Sequence, residues 1–164
     1  PIQAIMDYTT EGNETVTFAV VPYSPSGSTV GTPGSCTVTI SDPPPPTVNV
    51  AWVADAVEGG ASGTLRFTKT GGPPWTPLTV YFTVGTGTGS ATPGSDYSAL
   101  SGSVTFNPYS SNPDTVDVTV AAASDLLAED HETVVVSINT DAAYTVGGSD
   151  EAMVYIVDTT TLVE

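Results

Sequence analysis

The chain is a succession of short β-branched runs cut by Gly, Pro, Asp and Ser, with almost no helical periodicity. Runs of this kind suit a pleated, half-buried surface, and the turn residues between them close antiparallel connections. Strands are expected near 14–21, 35–41, 48–53, 63–69, 78–84, 103–106, 115–121, 132–139 and 152–158. TVNVAWV (47–53), TLRFTKT (64–70) and LTVYFTV (78–84) alternate with period two, the signature of strands with one face on a core. Trp52, inside the first of these, is expected in that core. The fold class that follows is all-β, an antiparallel β-sandwich.

Asp42-Pro43-Pro44-Pro45-Pro46 marks a boundary. Consecutive prolines favour a stiff spacer, here reaching roughly 12 Å at about 3.1 Å per residue. An internal repeat supports the same cut. Asp7, Glu11, Glu14 and Thr15 repeat the spacing of Asp125, Glu129, Glu132 and Thr133 at an offset of 118 residues. Tyr23 and Val30-Gly31 resemble Tyr144 and Val146-Gly147, and CTVTISD (36–42) aligns with AMVYIVD (152–158) at an offset of 116. Residues 1–42 thus read as the C-terminal half of a repeat and 43–46 as a Pro-rich linker. Residues 47–158 read as a complete repeat, and 159–164 as a tail or the start of the next linker. Three strands without a covering sheet make a poor core. The strands missing from 1–42 are expected from upstream sequence or from another chain by strand complementation.

Charge narrows the partners. Asp and Glu number 18 against two Lys and Arg, a net charge of −16. That balance argues against nucleic acid, whose phosphates need basic neutralisation, and against anionic membrane surfaces. It favours cations, or simply solubility. No run of about 18 apolar residues suggests insertion in a membrane. The single cysteine, Cys36, excludes an intrachain disulfide and reads as a small buried hydrophobe. Abundant Thr, Ser, Gly and Pro with almost no Lys suggest a secreted or cell-surface protein. A catalytic set is not apparent. His131 has no nearby nucleophile, and no G-x-S-x-G elbow or phosphate-cradling loop occurs. Glu129 and Glu132 could be weighed as a glycosidase pair. Three residues apart at the entry to a strand, they suit a metal better, so a non-enzymatic chain is expected.

The motifs resemble those of a Calx-beta domain, the module found in sodium–calcium exchangers, an integrin subunit and many large bacterial surface proteins. The resemblance spans residues 48–158. It rests on EGG (58–60), GTLRF (63–67), LTVYFTV (78–84), ATPGSDY (91–97), GSVTF (102–106), D-x3-E-x2-ET (125–133) and YIVD (155–158), in the family's order. Residues 1–42 match the family's second half. The resemblance implies an immunoglobulin-like sandwich in tandem repeats, with Ca²⁺ at one pole. The ligands it implies are Glu58, Asp96, Asp125, Glu129, Asp158 and, less centrally, Glu132. In the partial repeat they are Asp7, Glu11, Asp42 and Glu14. The family often has consecutive Asp residues in the acidic loop and after the last strand. Here Ser124-Asp125-Leu126 and Asp158-Thr159 stand instead, which implies fewer or weaker ions, one or two per pole.

Strand parity points the same way. The chain reverses at each loop of an antiparallel sandwich, so alternate loops and the end of the last strand share one pole. Glu58, Asp96, the loop of Asp125, Glu129 and Glu132, and Asp158 all fall at that pole. Two such charges about 5 Å apart repel by roughly 3 kcal/mol at an effective dielectric near 20. Several carboxylate oxygens are what a hard cation such as Ca²⁺ selects, and neither His131 nor Cys36 has partners suited to zinc. Asp96 after Gly94-Ser95 also suits a plain turn; the repeated acidic spacing favours a metal.

The expected function is a structural or adhesive Ca²⁺-binding repeat of a secreted or surface protein or extracellular fibre. Ca²⁺ would stiffen head-to-tail junctions, and the partners would be neighbouring repeats or other copies. The alternatives are a glycan- or protein-binding module using the 71–77 loop and Trp75, which is placed at a hairpin tip, and a Ca²⁺-sensing regulatory domain.

Overall fold

The computed structural model describes residues 12–22, 27, 29–86, 89–110, 113–125 and 128–159. The chain divides into two compact units, Pro1–Pro44 and Pro45–Glu164. The first holds β1 (Glu14–Ala19) and β2 (Ser35–Ile40), which pair antiparallel. Glu14 lies opposite Ile40, Val16 opposite Val38 and Phe18 opposite Cys36.

The second unit holds β3 (Thr47–Ala54), β4 (Ala56–Val57), β5 (Gly63–Thr70), β6 (Leu78–Val84) and β7 (Ser103–Phe106), then β8 (Asp114–Val120), β9 (Glu132–Ile138), β10 (Thr145–Val146) and β11 (Glu151–Val157). They form two sheets, ordered β10-β3-β5-β8 and β4-β11-β9-β6-β7. The fold is an all-β sandwich of the immunoglobulin-like kind, and the sequence alternation explains why. In β5, Leu65 and Phe67 are buried while Arg66 and Thr70 are exposed. Val80 and Phe82 of β6, Val134 and Val136 of β9, and Val154 and Ile156 of β11 point into the same core as Val48 and Val50 of β3. The rings of Phe67 and Phe82 meet across the sheets at 5.3 Å between centroids. Each fully buried Val, Leu or Phe contributes about 1.5–3 kcal/mol. Among the described residues no helix is long and apolar enough to cross a membrane.

The long strands lie where the β-branched runs place them. β4 and β10, two residues each, leave no periodic signal; they pair parallel, β4 with β11 and β10 with β3. Three expectations are corrected. Trp52 is 53% exposed, not in the core. Its register partner Leu65 is buried, but a bulge between Trp52 and Ala54 re-aims the chain, and the indole N–H donates to Asp55 Oδ1 at 2.8 Å. The 71–77 segment is not a hairpin tip. β5 pairs with β3 and β8, while β6 pairs with β7 and β9, so the segment crosses from one sheet to the other, with Trp75 half-buried in it. Cys36 is exposed rather than buried; among the described residues its sheet has only two strands, and Phe18, opposite it in β1, is exposed as well.

Candidate metal centre

Four stretches of the second unit converge at one pole. The turn after β4 carries Glu58, whose backbone N–H donates to the carbonyl of Val157 in β11 at 3.1 Å. Gly59, at φ 64°, lets that turn close, with the Gly60 N–H on the Val57 carbonyl. Asp96 sits in a tight turn between β6 and β7, where its Oδ2 accepts the Thr92 N–H at 2.5 Å and its own N–H donates to the Thr92 carbonyl at 3.0 Å. Buried Tyr97 anchors that turn, and the Ala123 N–H binds the Asp96 carbonyl at 2.8 Å, tying it to the acidic loop. Asp125 and Glu129 lie in that loop, Glu132 opens β9, and Asp158 follows β11.

The loop is held at both ends. Asp158 Oδ2 accepts the Glu129 N–H at 2.8 Å. Thr133 donates its N–H and its hydroxyl to the Gly89 carbonyl at 2.9 and 3.0 Å, and its own carbonyl accepts the Ala91 N–H. The clamp by Thr133 escaped functional reading of the sequence. Its signal was there: Thr15 keeps step with Thr133 in the repeat.

One carboxylate oxygen from each of Asp96, Glu129 and Glu132 lies within 4.8 Å of the others. Glu132, the less central member by sequence, therefore belongs to the tightest group. Its Oε2 is buried without a hydrogen-bond partner, a costly state for a carboxylate unless a cation answers it. Glu58, 9% exposed, lies beside them. Burial first, and then the charge of Asp158, raises its pKa, with smaller contributions from Asp125, Glu129 and Asp96. Burial also leads for Glu129, followed by the charges of Asp125, Asp96 and Asp158. Glu132 is raised by burial, then by the negative charge of the adjacent Asp96 carboxylate. The six acids expected at this pole thus form one electrostatic group. Asp125, exposed, acts on it through its field on Glu58 and Glu129.

Among the described residues no Lys or Arg answers this charge. The chain's two basic side chains, Arg66 and Lys69, both stand on β5 and both engage carboxylates of β8. Arg66 makes a two-pronged bond to Asp117 at 2.7 and 2.8 Å on the outer face, holding the Asp117 carboxyl below the usual range. Lys69 and Asp114 pair at 3.8 Å in the interior, near the strand end away from the acidic pole, with Phe106 under the ammonium. The donor set at the pole is oxygen only, as a hard divalent cation requires.

Of the acids expected in the first unit, Asp7 and Glu11 lie outside the described residues. Glu14 opens β1 and is exposed. Asp42 Oδ2 accepts the Gly12 N–H at 3.0 Å, as Asp158 accepts that of Glu129.

Residues 64–160, more than half of the chain, match the family model of the Calx-beta domain. The chain belongs to the Calx-beta family. The match starts within β5, so it takes in Asp96, Asp125, Glu129, Glu132 and Asp158, while Glu58 precedes it. Among solved structures, this Calx-beta chain is similar to an apo-form Calx CBD1 domain at 17% identity and a TM-score of 0.56, covering 70% of this chain and 98% of that one. It is also similar to CBD12 from CALX1.2 at 17% identity and 0.54, covering 68% and 45%. A third is the calcium binding domain CBD12 of CALX1.1, at 18% identity and 0.53, covering 67% and 44%. These likenesses show a shared fold; the chain spans less than half the length of either CBD12 protein. No curated protein sequence matches the chain.

Proposed function

We propose that the acidic pole binds Ca²⁺ and that the chain is a non-catalytic structural repeat of a secreted or cell-surface protein, stiffened by that ion. The observation that carries this reading is the uncompensated pole: clustered carboxylates, a buried unpartnered Glu132 oxygen, and both basic side chains engaged elsewhere. Asp96, Glu129 and Glu132 would hold the ion, with Glu58, Asp125 and Asp158 completing the oxygen set. One of the similar structures is named as a calcium binding domain. The departures from the family's consecutive-Asp pattern favour one or two ions, with dissociation constants near the 10⁻⁴–10⁻³ M typical of extracellular modules.

The ion would also tie strand to loop. Asp158 directly follows β11 and holds the backbone of the acidic loop. A cation there would rigidify the joint to a following repeat, which is the basis for the adhesive or fibre role. Calorimetric titration of Ca²⁺ into the chelator-treated full chain tests the reading. Heat that disappears in Glu129→Ala and Asp125→Ala is expected; no heat at several millimolar Ca²⁺ sinks it. Small-angle scattering of a chain with two complete repeats should show a stiffer particle with Ca²⁺ than with chelator.

A further inference from the structure

Asp96 reaches the acidic pole on a strap whose footing is Thr133. β6 pairs with β9 as far as Val84, opposite Val136, and the Gly85 N–H adds a bond to the Val135 carbonyl at 2.8 Å. Residues 89–91 then lie along the part of β9 that β6 has left, with Ser90 bridging to Thr133 in parallel. Every hydrogen-bonding group of Thr133 is engaged there. Its N–H and its hydroxyl both donate to the Gly89 carbonyl, at 2.9 and 3.0 Å, and its own carbonyl accepts the Ala91 N–H at 2.9 Å.

The path from this footing to the pole is short. Buried Ala91 is followed directly by Thr92, whose N–H donates to Asp96 Oδ2 and whose carbonyl accepts the Asp96 N–H. On the other strand, Thr133 is the peptide neighbour of Glu132, whose carboxylate belongs with those of Asp96 and Glu129 to the tightest group. Thr133 thus stands where the segment that carries Asp96 is fastened to the strand that carries Glu132. The Ala123 N–H, on the Asp96 carbonyl, holds the far side of the same turn. Thr133 holds the near side.

A hydroxyl has a chemical reason to be here. The Gly89 carbonyl has two lone pairs, and a backbone N–H fills only one. The hydroxyl fills the other, which fixes the direction of that carbonyl as well as its distance. Groups that hold metal ligands in this way, without touching the ion, typically change metal affinity about 10–100-fold when removed.

We infer that Thr133 is a positioning residue of the Ca²⁺ site. Its hydroxyl holds Asp96 at the right separation from Glu132 and so sets the affinity for the ion. The inference rests on the Ca²⁺ reading of the pole proposed above.

The test is calorimetric titration of Ca²⁺ into four chelator-treated full chains: the unaltered chain, Thr133→Val, Thr133→Ser and Thr105→Val. Thr133→Val keeps the shape and the backbone bonds and removes the hydroxyl. Thr133→Ser keeps the hydroxyl. Thr105→Val removes a hydroxyl from the Thr79–Thr105 pair, 3.3 Å apart, at the end of β6 away from the pole. The dissociation constant should rise about tenfold in Thr133→Val and stay near that of the unaltered chain in the other two. Melting in chelator, where no ion contributes, should fall by about 2–4 °C in both valine variants. Equal affinity in Thr133→Val and the unaltered chain overturns the inference and leaves the Ca²⁺ reading standing. Equal weakening in Thr133→Val and Thr105→Val overturns it too, because the loss then follows general stability. So does a Thr133→Ser chain as weak as Thr133→Val. No heat from the unaltered chain at several millimolar Ca²⁺ removes the site itself, and the inference with it.

Discussion

At the scale of single residues, Glu132 shows how burial assigns roles that spacing leaves ambiguous. Three glutamates, at 58, 129 and 132, have raised pKa values, so without metal the folded chain holds protons more readily than the unfolded chain. Their charging therefore costs stability as the pH rises through the raised values. That stability returns as the pH falls toward the ordinary glutamate range, about 4.3. Melting curves in chelator should accordingly show Tm rising on acidification from pH 7 toward pH 5. With saturating Ca²⁺ the trend should reverse, because protons compete for the ligands. Parallel Tm–pH profiles with and without Ca²⁺ check both signs; two profiles that rise together would contradict the site. Glu132→Gln, which keeps the shape and removes the charge, should raise Tm in chelator while weakening Ca²⁺ binding by about tenfold or more, read by calorimetry. Which acids share a pole was legible from strand parity. That Glu132 sits in the closest trio was not, since it depends on how the Asp96 turn folds back onto the acidic loop.

At the scale of elements, β5 and β8 show both what alternation can say and where it stops. Gly63, Leu65, Phe67 and Lys69 all point inward, and the alternation of TLRFTKT gives that parity directly. What it cannot give is the pairing of Lys69 with Asp114, 45 residues later and directly opposite in register. A buried pair is costly to break on one side. Asp114→Ala should destabilise the chain by about 3–5 kcal/mol, whereas Lys69→Met with Asp114→Leu should cost far less or stabilise it. Urea denaturation of the two variants decides. Asp117→Ala, on the exposed face of the same strand pair, should cost no more than about 1 kcal/mol. β4 and β10 were illegible for a related reason: two residues hold no period, and their existence depends on the neighbour that pairs with them. Trp52 was misplaced because a bulge breaks the parity on which alternation depends.

At the scale of the whole molecule, the charge imbalance was readable from composition, and the cut between the two compact units falls within the proline run. That β1–β2 repeats the register of β9–β11, with Glu14 opposite Ile40 as Glu132 is opposite Ile156, required the pairing itself. Saturating Ca²⁺ at about 100 times its dissociation constant should add about 2.7 kcal/mol of stability, seen as a rise in Tm that Asp125→Ala and Glu129→Ala abolish. An unchanged Tm would mean that the pole is a solvated acidic surface. The parallel pairing of β4 with β11 has a consequence of another kind. Tension applied across the second unit enters at β3 and leaves through β11. The short β4 that continues β3 lies beside β11 and runs in the same direction, Ala56 against Ile156 and Val57 against Val157. Such a pull slides one strand along the other, loading their shared bonds in shear and all at once instead of peeling them in turn. A pull of that kind would meet those bonds together, at the same pole as the acidic cluster.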